Sequence, residues 1–213
     1  MVFEEFIRIL TQRMSSPLPG LPVQLRMSSN HRLRELMDFS AGDHAVKSSV
    51  LILLYPGRIT GIPTFVVTQR HHYEGVHGGQ ISLPGGRFEP EDKELLRTAL
   101  REAREEIGVE TSLVQTIGKL TELYIPPSNY LVQPFVGYTL SAPDFIAQPA
   151  EVAEIIEVPV EKLMDENNLR QRKIEVRGMH IEAPCYVIGQ KIIWGATAMI
   201  LSEFKEILSG MRL

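Results

Sequence analysis

The chain has 213 residues, of which 44% are hydrophobic and 23% charged, and its formal net charge is −4 at pH 7. These proportions match ordinary globular domains and argue against disordered, collagen-like and coiled-coil classes, while a single cysteine, Cys185, excludes an intramolecular disulfide framework. The negative net charge argues against a protein whose main function is to bind the nucleic-acid backbone. It does not exclude small phosphorylated ligands, because a bound divalent cation can make the local charge of a site positive.

The N-terminal segment predicts a short amphipathic helix, not a targeting signal. Apolar residues recur at helical spacing over residues 3–14 and are interrupted by charged side chains that a signal peptide would lack. Prolines and a glycine in 17–22 predict an extended linker, and a second short helix is expected over 30–37. The longest apolar run, 50–55, is far below the roughly 20 residues of a membrane helix. We therefore expect a cytoplasmic protein with no membrane or nucleic-acid partner.

Strand and helix patterns alternate through the rest of the chain. Strands are predicted at 49–55 and 63–68, which form a hairpin, then at 80–83, 113–124, 130–140 and 154–158, with two more within 172–187. Helices are predicted at 90–108, 160–164 and 196–208. Because short turns join many of these elements, an α/β fold with a mixed sheet flanked by helices is favoured.

The region before residue 48 has too few apolar side chains for a core of its own. We therefore predict one domain over residues 1–213, with residues 1–47 packed on it as a helical cap and linker.

The most informative stretch is 83–109, LPGGRFEPEDKELLRTALREAREEIGV. On a helix, Glu102, Glu105 and Glu106 stand at i, i+3 and i+4, so their carboxylates are neighbours at the edge of the apolar face. Like charges repel there, and the helix dipole disfavours anions in the C-terminal half of a helix. A cluster formed against these effects suits hard divalent cations, which take oxygen ligands. Arg101, four residues before Glu105, can hold that carboxylate in place.

Taken alone, such a charged run is more often a solvated helix face stabilised by ion pairs. A ligand site is favoured by the order of a strand, a Pro-Gly-Gly loop, the helix and a terminating Gly108. Gly85 and Gly86 permit a close approach of the backbone to a ligand.

The same residues resemble the signature of the Nudix hydrolase family, G-x5-E-x7-R-E-U-x-E-E-x-G-U, with U an aliphatic residue. The matching residues are Gly86, Arg101, Glu102, Ala103, Glu105, Glu106, Gly108 and Val109. Two features differ, because the first acidic residue is Asp92 instead of Glu and eight residues, not seven, separate it from Arg101.

An upstream stretch resembles the coenzyme A diphosphatase subgroup, with the signature L-L-T-x-R-S-x-x-L-R-x-H-x-G-x-V-x-F-P-G-G-x-x-D. The matching residues are Thr68, Arg70, His77, Gly79, Pro84, Gly85 and Gly86. Three signature positions carry other residues, His71, Glu74 and Gly75. Fainter similarity around Ser128 and in later segments extends the resemblance over roughly residues 50–201.

The resemblance implies an α/β/α sandwich and metal-dependent hydrolysis of the diphosphate bond of coenzyme A or its derivatives, giving 3′,5′-ADP and 4′-phosphopantetheine. It implies Mg²⁺ or Mn²⁺ held by Glu102, Glu105, Glu106 and the Gly86 carbonyl, with Arg101 orienting Glu105. The expected catalytic residues are therefore Glu102, Glu105 and Arg101.

The general base stays open among Glu102, Glu151 and Glu154. Substrate contacts are implied at four positions, which are Arg70, His77, Gly85 and Ser128.

For Arg70, pairing with a substrate phosphate stands against a surface arginine that caps a strand end. If Arg70 recognises the 3′-phosphate, its removal should weaken turnover of coenzyme A more than turnover of NADH.

Two other functions remain open: a Nudix enzyme acting on NADH or ADP-ribose, and a non-catalytic nucleotide-binding module. The intact acidic residues of the helix argue against the second. The small-molecule partner is expected to be coenzyme A or a related nucleotide, and the oligomeric state is left open between monomer and homodimer.

Overall fold

The described residues form an eight-stranded mixed sheet and a separate three-stranded sheet. The computed structural model describes residues 1–29, 44–71, 79–176 and 178–211. The predicted second helix over 30–37 lies outside these ranges. So does most of residues 71–79, a polar segment with three glycines for which the sequence predicts a loop.

The strands of the larger sheet are β1 (Val46–Pro56), β2 (Pro63–Arg70), β3 (Ile81–Ser82), β4 (Gly85–Arg87), β5 (Gln115–Lys119), β6 (Leu123–Ile125), β7 (Tyr130–Tyr138) and β8 (Val152–Pro159). The smaller sheet contains β9 (Leu169–Val176), β10 (Met179–Ile188) and β11 (Lys191–Trp194). The α-helices are α1 (Phe3–Met14), α2 (Leu21–Gln24), α3 (Leu95–Ile107), α4 (Val160–Met164) and α5 (Gly195–Leu208).

The larger sheet has the order β3-β2-β1-β7-β5, with β4 beside β1, β6 beside β7 and β8 beside β2. Strands β1 and β7 are parallel, whereas the other pairs in this sheet are antiparallel. The predicted hairpin of β1 and β2 and the predicted mixed sheet are therefore confirmed.

Alternate residues of β1 pack on opposite faces of the sheet, as expected for a strand buried on both sides. Leu51, Leu53 and Tyr55 pack with the apolar face of α3. Ile52 and Leu54 belong to the other cluster, which contains the apolar residues of α1 and α5. Helices thus cover both faces of the sheet, and the predicted α/β/α sandwich is confirmed. Each fully buried Leu or Ile contributes roughly 1.5–3 kcal/mol to this packing.

The N-terminal helix forms where the apolar spacing predicts it and buries Phe3, Phe6, Ile7 and Leu10. In the predicted extended linker at 17–22, residues 17–20 belong to no helix or strand, whereas residues 21 and 22 begin α2, which a short 3₁₀ turn follows. These elements are held by the fully buried Glu203 of α5.

The Glu203 carboxylate accepts hydrogen bonds from Gly20 N (3.1 Å), Gln24 Nε2 (2.7 Å) and Thr121 Oγ1 (2.7 Å). This network joins the N-terminal segment to the core of the fold, while a single domain over the whole chain stays a prediction. In the ranges that the structure describes, no helix has both the length and the apolar character needed to span a membrane.

The Pro-Gly-Gly segment and the main helix differ from their predicted form. Residues 85–87 are not only a loop but pair with β1 as β4. The helix predicted from residue 90 begins at Leu95, since Pro90–Asp92 form a separate 3₁₀ turn and Lys93 adopts a left-handed backbone with φ of 65°.

The strand predicted at 113–124 is divided into β5 and β6, because the chain between them turns so that Thr121 reaches Glu203. The C-terminal region contains three strands where two were expected. The predicted helices at the positions of α4 and α5 are confirmed.

Candidate active site

Helix α3 lies across the sheet with its apolar side buried and its acidic side toward β4. Ala99, Ala103 and Ile107 are fully buried against β1. Gly108 ends the helix in the left-handed conformation, with φ of 70° and its N–H donating to Arg104 O at 3.0 Å. This placement brings the predicted carboxylates to the Pro-Gly-Gly turn.

Gly86 makes room for the Glu102 carboxylate. A Cβ at Gly86 would lie 2.3 Å from Glu102 Oε1, which is closer than real carbon contacts allow. A side chain is also excluded at the preceding Gly85, because a Cβ there would lie 2.3 Å from the backbone oxygen of Ser49 in β1. The two glycines therefore let α3 and β1 approach the same turn.

Arg101 is the hub of the acidic cluster. Its guanidinium donates to Glu102 Oε1 and Glu105 Oε2, both at 3.0 Å, and to the Arg87 carbonyl at 3.0 Å. It also donates to both oxygens of Asp92, at 2.8 and 3.0 Å. The contact with Glu105 is the one proposed from the sequence, and the contacts with Glu102 and Asp92 add to it.

Asp92 fixes Arg101 from the side away from the glutamates. Its side chain is buried and also accepts hydrogen bonds from Glu89 N (3.0 Å) and Thr98 Oγ1 (2.9 Å). The hydrogen bond from Arg101 lowers the pKa of Asp92 from 3.8 to about 2. The extra residue between Asp92 and Arg101 is accommodated in the 92–95 turn, where Lys93 adopts its left-handed backbone.

Sequence analysis did not assign this role to Asp92. The available signal was the spacing of Glu89 and Asp92, which form a reciprocal capping box around the 3₁₀ turn.

Asp92→Asn should destabilise the protein at neutral pH by roughly 1–3 kcal/mol, because it removes a buried charge partner of Arg101. The folded-state pKa of Asp92 is lowered, so its stabilising contribution is present above the ordinary value of 3.8 and is lost as pH falls through about 2. Urea unfolding of wild type and variant at neutral and acidic pH measures this, with the exposed neighbour Glu91→Gln as control. A loss in Asp92→Asn no larger than in Glu91→Gln would contradict the role.

Glu106 is the buried member of the cluster, with only 3% of its side chain exposed. One oxygen lies 3.4 Å from an Arg70 guanidinium nitrogen, and the other accepts the Gly85 N–H at 3.3 Å. The pKa of Glu106 is raised to about 7, mainly by burial; the charges of Glu102 and Glu151 contribute to the rise, whereas Arg70 and Gly85 oppose it.

Glu151 joins the cluster from a different part of the chain. Its charge is close enough to raise the pKa values of both Glu102 and Glu106. The segment before it is tied to α3, since Gln148 N donates to Glu106 O at 2.9 Å and Glu151 N donates to Gln148 O at 3.1 Å.

Glu154 lies on the opposite face of the sheet. It pairs with Gln69 of β2, and the residues of β2 on the same face as Gln69 pack on the side of the sheet away from α3. The Glu154 carboxylate forms an ion pair with Lys191. Of the two distant glutamates named as alternative bases, the structure therefore places only Glu151 beside the carboxylates of α3.

The other predicted substrate residues are distributed unevenly. Arg70 and Gly85 contact the cluster directly, through Glu106. Ser128 instead donates within its own turn, to the Ile125 carbonyl at 3.5 Å. His77 lies outside the described residues.

The chemistry of this donor set fits a hard divalent cation. Four glutamates, Glu102, Glu105, Glu106 and Glu151, face two arginines, one of which is shared with Asp92, so negative charge is in excess. Burial raises the pKa of Glu102 as well as that of Glu106. These raised pKa values mean that keeping the two carboxylates ionised costs free energy. A bound cation would remove that cost.

As they stand, the carboxylates do not converge on one point. Within residues 1–29, 44–71, 79–176 and 178–211, no group of three or more His, Cys, Asp or Glu side chains could hold a metal ion. The reason is visible in the contacts, because Glu102 and Glu105 turn to Arg101 while Glu106 turns to Arg70 and Gly85.

The chain is similar in sequence to known proteins over most of its length. A model of the NUDIX domain matches residues 46–177. A relative from Photorhabdus laumondii subsp. laumondii, described as an uncharacterized Nudix hydrolase NudL, is 35% identical over 144 residues, covering 68% of this chain and 76% of the relative. A relative of the same description from Yersinia pestis is 33% identical over 147 residues, covering 69% and 73%.

The fold is also similar to that of a solved structure. The crystal structure of a Nudix hydrolase from M. smegmatis, RenU, aligns with a TM-score of 0.55 and 14% identity, covering 79% of this chain and 89% of that one. At this identity the likeness supports the fold alone. Together, the domain match, the relatives and the acidic helix show that the chain belongs to the Nudix family and is a hydrolase of diphosphate bonds in nucleoside diphosphate derivatives.

Proposed function

We propose that the chain hydrolyses the diphosphate bond of coenzyme A or its derivatives, releasing 3′,5′-ADP and 4′-phosphopantetheine or its acylated form. One observation carries the proposal: the stretch that resembles the coenzyme A diphosphatase subgroup runs directly into the acidic site. Its Arg70 contacts Glu106 at 3.4 Å, and its Gly85 donates to the same carboxylate at 3.3 Å.

Mg²⁺ or Mn²⁺ would be held by Glu102, Glu105 and Glu106, with the Gly86 carbonyl as a further ligand. When bound, the cation supplies charge neutralisation for the diphosphate and lowers the pKa of the attacking water. Glu102 and Glu105 are already held at the turn by Arg101. To share one ion, the carboxylates must give up part of their present hydrogen bonds to the arginines and to Gly85.

Two carboxylates on this face are candidates for the general base, Glu102 and Glu151. Glu151 is exposed and lies beside the proposed ligands without being one of them, which favours it as the group that takes the proton from water. The pH–rate profile of Glu151→Gln distinguishes the two. Loss of its acidic limb with unchanged Mn²⁺ affinity would identify Glu151 as the base, whereas an acidic limb that persists in Glu151→Gln would leave Glu102.

Arg70 is proposed to bind the diphosphate itself. The sequence suggested recognition of the 3′-phosphate, but Arg70 contacts Glu106, and the diphosphate of any substrate hydrolysed at these carboxylates would have to lie beside them. Arg70→Ala should therefore lower kcat/KM for coenzyme A and for NADH to a similar extent. Loss of a charge-assisted contact of roughly 1.5–3 kcal/mol corresponds to roughly 10- to 150-fold.

Steady-state kinetics of wild type and Arg70→Ala on both substrates measure this effect, with Arg58→Ala as control. Arg58 is an exposed arginine that pairs with Asp144 in a distant turn. A large loss for coenzyme A alone would restore the 3′-phosphate assignment, and no loss for either would remove Arg70 from the site.

The substrate itself is tested by a panel of coenzyme A, acyl-coenzyme A, NADH, ADP-ribose and diadenosine polyphosphates with Mg²⁺ or Mn²⁺. The proposal predicts that coenzyme A or an acyl derivative has the highest kcat/KM and yields 3′,5′-ADP. Preference for NADH or ADP-ribose would favour the alternative function, a Nudix enzyme that acts on these nucleotides. The residues that do not match the coenzyme A signature, His71, Glu74 and Gly75, support this alternative. Binding without turnover would favour a non-catalytic module.

A further inference from the structure

A β-bulge lies at the edge of the active site, between β2 and β8. Gln69 pairs with Glu154, but the next residue, Arg70, pairs with Val152, so that Ala153 is left as the extra residue. A bulge bends its strand and redirects the side chains that follow. Here the redirected elements are Arg70, which contacts Glu106, and the chain leading from Val152 back to Glu151.

One lysine from the other sheet joins both residues of the last regular pair before this bulge. Lys191, at the first position of β11, donates to Gln69 Oε1 at 2.8 Å and forms an ion pair with Glu154 Oε2. Only 29% of its side chain is exposed, so these bonds are partly shielded from water.

The same glutamine also contacts Gly79, at the end of the predicted loop 71–79. Gln69 Nε2 donates to the Gly79 carbonyl at 3.4 Å. The backbone bonds Gly79 N to His71 O, at 2.9 Å, and Arg70 N to Gln80 O, at 3.0 Å, close the base of that loop. Lys191 thus contacts the strands at the bulge directly and the ends of the loop through Gln69, on the face of the sheet opposite the carboxylates.

We propose that Lys191 is a positioning residue for the hydrolase: it clamps Gln69 to Glu154 and thereby sets the bulge that aims Arg70 at the acidic site. The inference rests on the proposed function in that Arg70 acts on the substrate. Lys191 touches neither the carboxylates of α3 nor the proposed diphosphate position, so it acts through its partners alone.

The test compares Lys191→Met, which keeps the length of the side chain but removes its donors, with Lys191→Arg, which can bridge two acceptors. The substrate is whichever diphosphate wild type hydrolyses fastest. Lys191→Met should lower kcat/KM roughly tenfold, since small misplacements of substrate-binding groups are expensive, and Lys191→Arg should recover most of that loss. Lys173→Met, an exposed lysine of β9, serves as control and should match wild type.

A double-mutant cycle separates positioning from a general loss of structure. If Lys191 acts through Arg70, Lys191→Met should lower activity less than about twofold in an Arg70→Ala background, because coupled residues are non-additive. Full additivity of the two losses, or a Lys191→Met enzyme equal to wild type, would overturn the proposal.

Hydrogen exchange gives a readout that does not depend on turnover. Lys191→Met should speed exchange at the amides of Arg70 and Val152, which donate to Gln80 O and Gln148 O, more than at the amides of β7. Unchanged exchange at these two amides would overturn the clamp even if coenzyme A is the substrate. Conversely, a wild-type enzyme that hydrolyses nothing in the panel would reject the proposed function, and exchange would still decide whether Lys191 sets the bulge.

Discussion

Glu105→Gln should lower kcat/KM for the diphosphate substrate roughly 100-fold or more, as for the loss of one major electrostatic element of an active site. The substitution removes a charged ligand from the acidic cluster but keeps the size and helix propensity of the side chain nearly unchanged. Because 56% of the Glu105 side chain is exposed, and because its contact is a single bond to Arg101, folding should be almost unaffected.

Glu94→Gln is the matched control for this prediction. Glu94 is an exposed glutamate at the N-terminal end of the same helix, where it pairs with Arg97. Its substitution should leave kcat/KM within about twofold of wild type, since exposed pairs of this kind contribute little. Equal activity of Glu105→Gln and wild type, or undiminished wild-type turnover in excess chelator, would contradict the assignment of the carboxylates.

The second large effect concerns the two adjacent glycines of the turn, whose substitutions should fail in different ways. In Gly85→Ala the new Cβ would meet backbone, at 2.3 Å from Ser49 O and 2.6 Å from Val50 Cα in the central strand β1. Backbone cannot move aside cheaply, so this variant should lose roughly 3 kcal/mol or more of unfolding free energy.

In Gly86→Ala the new Cβ would meet only the end of the Glu102 side chain, at 2.3 Å. That carboxylate can rotate away, so the fold should survive while Glu102 leaves its place and activity falls. Urea unfolding and kcat/KM are measured on both variants, with Gly118→Ala in β5 as control because its nearest obstacle is the flexible Met14 side chain at 3.3 Å. A stable Gly85→Ala, or a fully active Gly86→Ala, would contradict this account of the turn.

Local pattern was enough to predict the main helix and its acidic cluster. The spacing of Glu102, Glu105 and Glu106 fixes their relative positions on α3, and the apolar residues of the same helix fix which side is buried. The continuous apolar run at residues 50–55 likewise predicts the strand β1. These features depend on local pattern, which a sequence displays directly.

The rest of the site depends on contacts between distant residues, which periodicity does not reveal. Asp92 serves Arg101 because Lys93 turns the backbone back, and β4 forms because Gly85 and Gly86 fit against β1. The position of Glu154 on the face opposite α3 follows from the register of β8 against β2, since a shift of one residue moves a side chain to the other face of a sheet.

Titration with Mn²⁺ followed by electron paramagnetic resonance tests whether the carboxylates of α3 hold a divalent cation. Free Mn²⁺ is measured against added protein for wild type, Glu105→Gln and the control Glu94→Gln. We expect saturable binding to wild type and to Glu94→Gln, and an affinity at least roughly tenfold weaker in Glu105→Gln. Equal affinities in all three proteins, or no saturable binding to wild type, would contradict this expectation.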